Sequence, residues 1–246
     1  MRQIILVTDG CSNVGISPVV AAAHALAENI VVNVVGVVDE GEIGDRGKEE
    51  IEEIARAGGG LSRVVPIVHL SRTIQMMTRK TVVHTVQQAV QKELRQMFGN
   101  APITALPPDD REKVVQLIDD MAETSSLQVA LLVDASASMK PKMKAVEDAI
   151  RDLMISLQAR AGKSEISVFH FPKFGGEDGD IVMDLHWTRD LAKIGNLFYK
   201  LNMKGTTPTG PALMQLVRFI VGGIKAPEGW TDSDPAKGGM LGDYII

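Results

Sequence analysis

Three short stretches of this chain gather hard oxygen ligands at points where one secondary element hands over to the next. The first is DASAS, Asp134 to Ser138, with one carboxylate and two hydroxyls on alternate residues. The second is GTTP, Gly205 to Pro208, with two threonines at a helix start, and the third is the opening TDG, which carries Asp9. Carboxylate and hydroxyl oxygens without His or Cys suit Mg²⁺ or Mn²⁺ rather than zinc. Neutral hydroxyls as direct ligands leave such an ion electron-poor and ready to take a carboxylate from outside. Two carboxylates hold it largely through water, which Mg²⁺ keeps readily. A plainer explanation stands beside this one. Asp and Ser are favoured caps, so DASAS alone reads as an ordinary strand-to-helix turn, and Asp9 alone as a turn cap with a glycine behind it for positive φ. Only the three stretches together, each in a matching context, favour the metal.

The elements that must position these residues follow from hydrophobic pattern. IILV (Ile4 to Val7) reads as a buried strand that delivers Asp9 to its C-terminal tip, where ligands bind in open α/β sheets. Ser17-Pro18 reads as N-cap and first helical position, followed by Val19, Ala22, Ala23 and Leu26 at helical spacing. IVVNVVGVV (Ile30 to Val38) is a nearly continuous β-branched strand, and an acidic run from Asp39 to Glu53 leads into a helix carrying Ile51, Ile54 and Ala55. Gly58-Gly59-Gly60 is expected to stop that helix, RVVPIVHL (Arg63 to Leu70) to form an edge strand because of Pro66, and Ser71 to Met97 to form a long helix.

NAPITALPPDD (Asn100 to Asp110) is the expected linker, closed by a capping box of Asp109 and Glu112. The helix behind it carries Val114, Val115, Leu117, Ile118 and Met121. QVALLVD (Gln128 to Asp134) is a buried strand ending in a carboxylate, and the helix after it presents Met143, Val146, Ile150, Leu153, Met154 and Leu157. Glu165 to Phe171 and Asp180 to Trp187 read as a hairpin, Thr188 as the start of a helix, and Lys204 to Leu213 as the opening of a last one. A Gly- and Pro-rich tail follows and is expected to be mobile. The pattern predicts an α/β fold of the Rossmann-like doubly wound type, a mainly parallel sheet with helices on both faces.

Composition narrows the function. The 246 residues are 45% hydrophobic and only 4% aromatic, enough for an aliphatic core. A net charge of −5 gives no basic footprint for nucleic acid. The single cysteine, Cys11, removes an intrachain disulfide and a cysteine-cluster zinc site. No apolar run reaches the length of a membrane span, and Asp9 comes too early for a secretory leader, so a cytoplasmic protein is expected. The histidines are scattered, with His24 and His84 on expected helices and His69, His170 and His186 on expected strands.

DASASM resembles the Asp-x-Ser-x-Ser signature of the von Willebrand factor A domain family, which opens its metal-ion-dependent adhesion site. GTTPTGPAL is similar to the family's second loop, and IILVTDGCSN to the strand and turn of its third. The resemblance implies Asp134, Ser136, Ser138, Thr207 and Asp9 as metal residues, with Thr206, Gly10 and Met139 placed to touch a partner. It also implies a non-enzymatic module in which a bound Mg²⁺ or Mn²⁺ recognises an Asp or Glu on a protein partner. The order departs from the family: its third loop stands first here. The chain therefore resembles a circular permutation. Residues 1–98 would supply the second half of the fold, 99–127 a helical linker, 128–222 the first half and 223–246 the tail, with 1–222 forming one domain. The halves could pair within one chain or between two as a swapped homodimer. Two rivals stay open: a Mg²⁺-dependent hydrolase or phosphoryl-transfer enzyme with Lys140 or Lys204 as its cation, and a structural scaffold with a vestigial metal site.

Overall fold

The opening strand finds its neighbour more than a hundred residues away. In the computed structural model, β1 (Arg2–Thr8) pairs in parallel with β2 (Ile30–Val38) on one side and with β4 (Leu127–Asp134) on the other. Arg2 lies opposite Gln128 and Val7 opposite Val133. The structure describes residues 1–10, 12–38, 45–98, 107–177, 180–195, 197–198, 201, 203 and 206–222. Among these, six strands form one sheet in the order β3-β2-β1-β4-β5-β6, with β3 (Gly59–Pro66), β5 (Ser164–Phe171) and β6 (Val182–Thr188) completing it. All pairs are parallel except the β5–β6 edge. This is the doubly wound α/β architecture that the hydrophobic pattern predicts.

Strand alternation sends residues to two cores. On one face Ile5, Val7, Leu131 and Val133 pack with α3 (Leu70–Phe98), α4 (Pro108–Thr124) and α5 (Met143–Gln158). On the other, Ile4, Leu6, Ala130 and Leu132 pack with α1 (Pro18–Ala27), α2 (Asp45–Ala57) and α6 (Thr209–Val221). The expected linker helix is thus part of a layer, since Ile118 and Ala122 of α4 enter the core while Val115, Leu117 and Met121 stay exposed. A polar seam crosses the first core. Buried Asn33 accepts hydrogen bonds through Oδ1 from the Leu61 amide and the Thr81 hydroxyl, both at 2.9 Å.

Several boundaries differ from the sequence pattern. Only Gly58 ends α2, its amide bonding the Ile54 carbonyl; Gly59 and Gly60 already belong to β3. Gly60 is required there, because a Cβ would stand 2.1 Å from the Val32 carbonyl oxygen. The strand ends at Pro66, and Ile67–His69 form a 3-10 turn, so His69 is not in a strand. β3 is an edge strand, as Pro66 requires. Pro107 rather than Asp109 stands at the N-cap of α4, leaving no capping box, and Asp109 and Asp110 fall in the first turn. Between Thr188 and α6 the described residues hold only a 3-10 turn, Leu191–Ile194, capped by the Asp190 carboxylate. The linker residues 99–106, the acidic loop 39–44, Cys11, Lys204, Gly205 and the tail 223–246 lie outside the described residues.

Candidate metal centre

In a sheet ordered 3-2-1-4-5-6 the strand order reverses between β1 and β4, and the loops leaving their C-terminal ends diverge to open a crevice. Asp9 follows β1 directly, and Asp134 is the last residue of β4. Two carboxylates that are 125 residues apart in the chain therefore meet at the switch point of the fold.

Asp134 is fully buried. Its Oδ1 accepts the Ser136 amide at 2.8 Å and its Oδ2 the Thr8 hydroxyl at 2.9 Å. Burial raises its pKa above the ordinary carboxylate value, against the pull of these hydrogen bonds, and the nearby Asp9 charge adds to the rise. Beyond Asp134 the chain enters a 3-10 turn, Ala137–Lys142, which spaces the two serines for contact: Ser136 and Ser138 hydroxyls lie 3.2 Å apart. Ser138 then donates to Asp9 Oδ1 at 2.9 Å. The other Asp9 oxygen receives the Lys142 ammonium at 2.6 Å, in a pair whose side chains are 5% and 7% exposed. Lys142 also reaches the Ser138 carbonyl at 3.4 Å.

Thr207 reaches the same place by a different brace. Its amide donates to Asn13 Oδ1 at 2.9 Å, while its carbonyl accepts the Asn13 amide and the Ser12 hydroxyl, both at 3.2 Å. The Ser12 amide in turn donates to the Glu50 carboxylate of α2. Close packing fixes this junction: a Cβ on Gly210 would stand 2.0 Å from the Ile16 carbonyl oxygen, and one on Gly15 would enter the Pro211 ring. Every described polar contact of Thr207 is through its backbone.

Four of the five expected metal residues, Asp134, Ser136, Ser138 and Asp9, thus cluster through direct contacts, and Thr207 is tied to the loop that follows Asp9. Thr206 is exposed and Gly10 half-buried, so both are accessible. Gly10 does not have the positive φ that its place after Asp9 suggests. Met139 is a correction. It is fully buried, because the 3-10 turn directs it into the core under α5 and away from any partner. The pattern also left out Lys142 and the braces Thr8, Ser12, Asn13 and Glu50. TDGCSN contains three of these five, and its Asn and Ser are residues that fasten loops to neighbouring backbone.

The donor chemistry fits a small hard cation: two carboxylates and hydroxyl oxygens, with no nitrogen or sulfur ligand beside them among the described residues. Among the described residues no group of three or more His, Cys, Asp or Glu has metal-holding geometry, so any ion here depends on the hydroxyls. At the same end of the sheet, large apolar side chains stand exposed after three parallel strands: Ile16 after β1, Val68 after β3 and Phe174 after β5.

No family model matches the chain. It is 43% identical over 216 residues to the uncharacterized protein YabS of Bacillus subtilis (strain 168), covering 87% of each chain. A crystal structure of an uncharacterized protein from Alicyclobacillus acidocaldarius is 38% identical and superposes with a TM-score of 0.81, over 90% of this chain and 94% of that one. Proximal thread matrix protein 1 from the mussel byssus, solved with a zinc-occupied MIDAS motif, is 16% identical over 84% of this chain and 43% of that one. Its TM-score of 0.26 is too low to carry an argument.

Proposed function

Starting from a chain that belongs to the family of Bacillus subtilis YabS, we propose a metal-dependent protein-binding module of the von Willebrand factor A type. The observation that carries the reading is the bond from Ser138 to Asp9 at 2.9 Å across 129 residues, which joins the first and third oxygen-rich loops in one site. The second loop, with Thr207, is fastened to the same crevice. Asp134, Ser136, Ser138, Thr207 and Asp9 would hold Mg²⁺ or Mn²⁺. When bound, the ion supplies an electrophilic position that a partner's Asp or Glu completes. The chain's own residues do the rest. Thr8 and the Ser136 amide orient Asp134, Ser12 and Asn13 hold Thr207 in place, and Thr206 and Gly10 border the opening. Exposed Ile16, Val68 and Phe174 around this end give a protein partner apolar contacts beside the acidic anchor.

The chain order supports a circularly permuted form of that fold. The strand that carries the third loop leads the chain and pairs directly with the strand that carries the first. The same strand pairing would serve a monomer or, exchanged between two chains, a swapped homodimer. No helix among the described residues is long and apolar enough to cross a membrane. The single cysteine of the sequence accords with a cytoplasmic setting for the proposed module.

Binding rather than catalysis is favoured by the state of Asp134. Both its oxygens are engaged and it is fully buried, which is poor presentation for a nucleophile. The one His–Asp pair near the strand ends, His170 Nδ1 and Asp184 at 2.8 Å, has no serine hydrogen-bonded to it among the described residues. Affinity capture from a cell extract in Mg²⁺ and then in chelator tests the reading. The partner should elute on chelation and fail to bind Asp134→Ala. Capture that persists in excess chelator would show that the site is not the recognition element.

A further inference from the structure

Lys142 stands out among its neighbours. Lys140 is exposed, and Lys144 is two-thirds exposed in a surface pair with Asp148. Lys142 instead is almost completely buried, and its ammonium lies 2.6 Å from Asp9, one of the two carboxylates of the proposed metal centre. Lysine is almost never buried unless paired, because its ammonium is strongly hydrated. The residue closes the 3-10 turn that carries Ser138, so the segment that supplies the site's hydroxyls also supplies a positive charge to it.

We infer that Lys142 is a tethered counter-ion that competes with the divalent cation for Asp9 and thereby sets a low metal affinity for the site. This rests on the metal-site reading above. The charge count supports it. Asp9 and Asp134 bring two negative charges, and Lys142 neutralises one, so an arriving dication meets a site of net −1 instead of −2. To engage Asp9 it must also displace an ammonium that is already in hydrogen-bond contact and shielded from water, where charge interactions are strongest. The same lysine ties the first loop to the third through its bond to Asp9 Oδ2, while its bond to the Ser138 carbonyl stays within its own turn. Lys142 is thus a positioning residue whose removal is expected to strengthen metal binding, the reverse of the outcome for a ligand.

The test is calorimetric titration of Mn²⁺ alone into the full chain, carried out on the wild type and on Lys142→Met, Lys142→Gln, Lys142→Arg and Asp134→Ala. Met and Gln preserve the bulk of the side chain without its charge, so one folded variant of the two suffices, with folding checked by circular dichroism. Tenfold or greater tightening in Met or Gln, near wild-type affinity in Arg and loss of binding in Asp134→Ala would establish the tethered counter-ion. Unchanged Mn²⁺ affinity in the neutral variants, with Asp134→Ala still abolishing binding, would overturn it and leave the metal site standing. No Mn²⁺ binding by any variant, the neutral ones included, would overturn both.

Discussion

Replacing Asp9 by Asn in the metal-free protein isolates the force between the two halves of the site. The substitution keeps the shape and removes the charge opposite Lys142, leaving a buried ammonium without its carboxylate. Breaking one side of a buried pair costs roughly 3–5 kcal/mol. Here the Asn oxygen and the Ser138 carbonyl remain as acceptors, which places the expected loss at the lower end, about 3 kcal/mol. For a chain of this size each kcal/mol moves the unfolding midpoint by roughly 2–4 °C, so a fall of roughly 6–12 °C is expected. The double variant Asp9→Asn with Lys142→Met should recover most of it, because two neutral groups of similar volume replace a buried pair at little cost. Thermal unfolding in chelator, followed by circular dichroism for all four members of the cycle, measures the coupling. Single variants that each shift the midpoint by less than about 2 °C and combine additively would refute the reasoning, since the pair would then behave as a solvated surface contact.

Three other outcomes follow from particular contacts. Asp134→Asn should stabilise the metal-free protein at neutral pH, because burial raises the native Asp134 pKa. The raised value means that the unfolded chain loses its proton first, so wild-type stability from this group is complete below the ordinary value of 3.8 and declines as pH rises through the native one; the variant's advantage should grow over that window in urea titrations at stepped pH. Asn33→Ala should cost about 2–4 kcal/mol by urea unfolding, since it strands the Leu61 amide and Thr81 hydroxyl, while Mn²⁺ affinity stays at the wild-type level. Gly210→Ala should weaken Mn²⁺ binding measured by calorimetry, because the added methyl collides with the Ile16 carbonyl and pushes the Thr207 loop away from the loop that follows Asp9.

Much of this arrangement was legible in the amino-acid pattern. IILV, IVVNVVGVV and QVALLVD announce central parallel strands because both faces are covered and nearly every residue is apolar, and each carboxylate at a strand tip marks the sheet's ligand-binding end. Other features depended on geometry that spacing does not encode. KPKMK places three lysines on alternate positions, and only the 3-10 turn decides that Lys142 turns inward while Lys140 and Lys144 face solvent. The same turn hides Met139. Leu191, Ile194 and Leu197 recur at intervals of three, which a 3-10 turn satisfies as well as an α-helix does. The triple glycine looked like a helix stop throughout, although the third is held in β3 by the close approach of the Val32 carbonyl.

The central claim is that the crevice between β1 and β4 holds a divalent cation on oxygen ligands. Anomalous diffraction from crystals of the full chain soaked in Mn²⁺ tests it most directly. The account predicts one strong anomalous peak within bonding distance of the Ser136 and Ser138 hydroxyls, with Asp134, Thr207 and Asp9 around it, and no such peak in Asp134→Ala crystals. A peak elsewhere on the molecule, or no peak at all at saturating Mn²⁺, would contradict it.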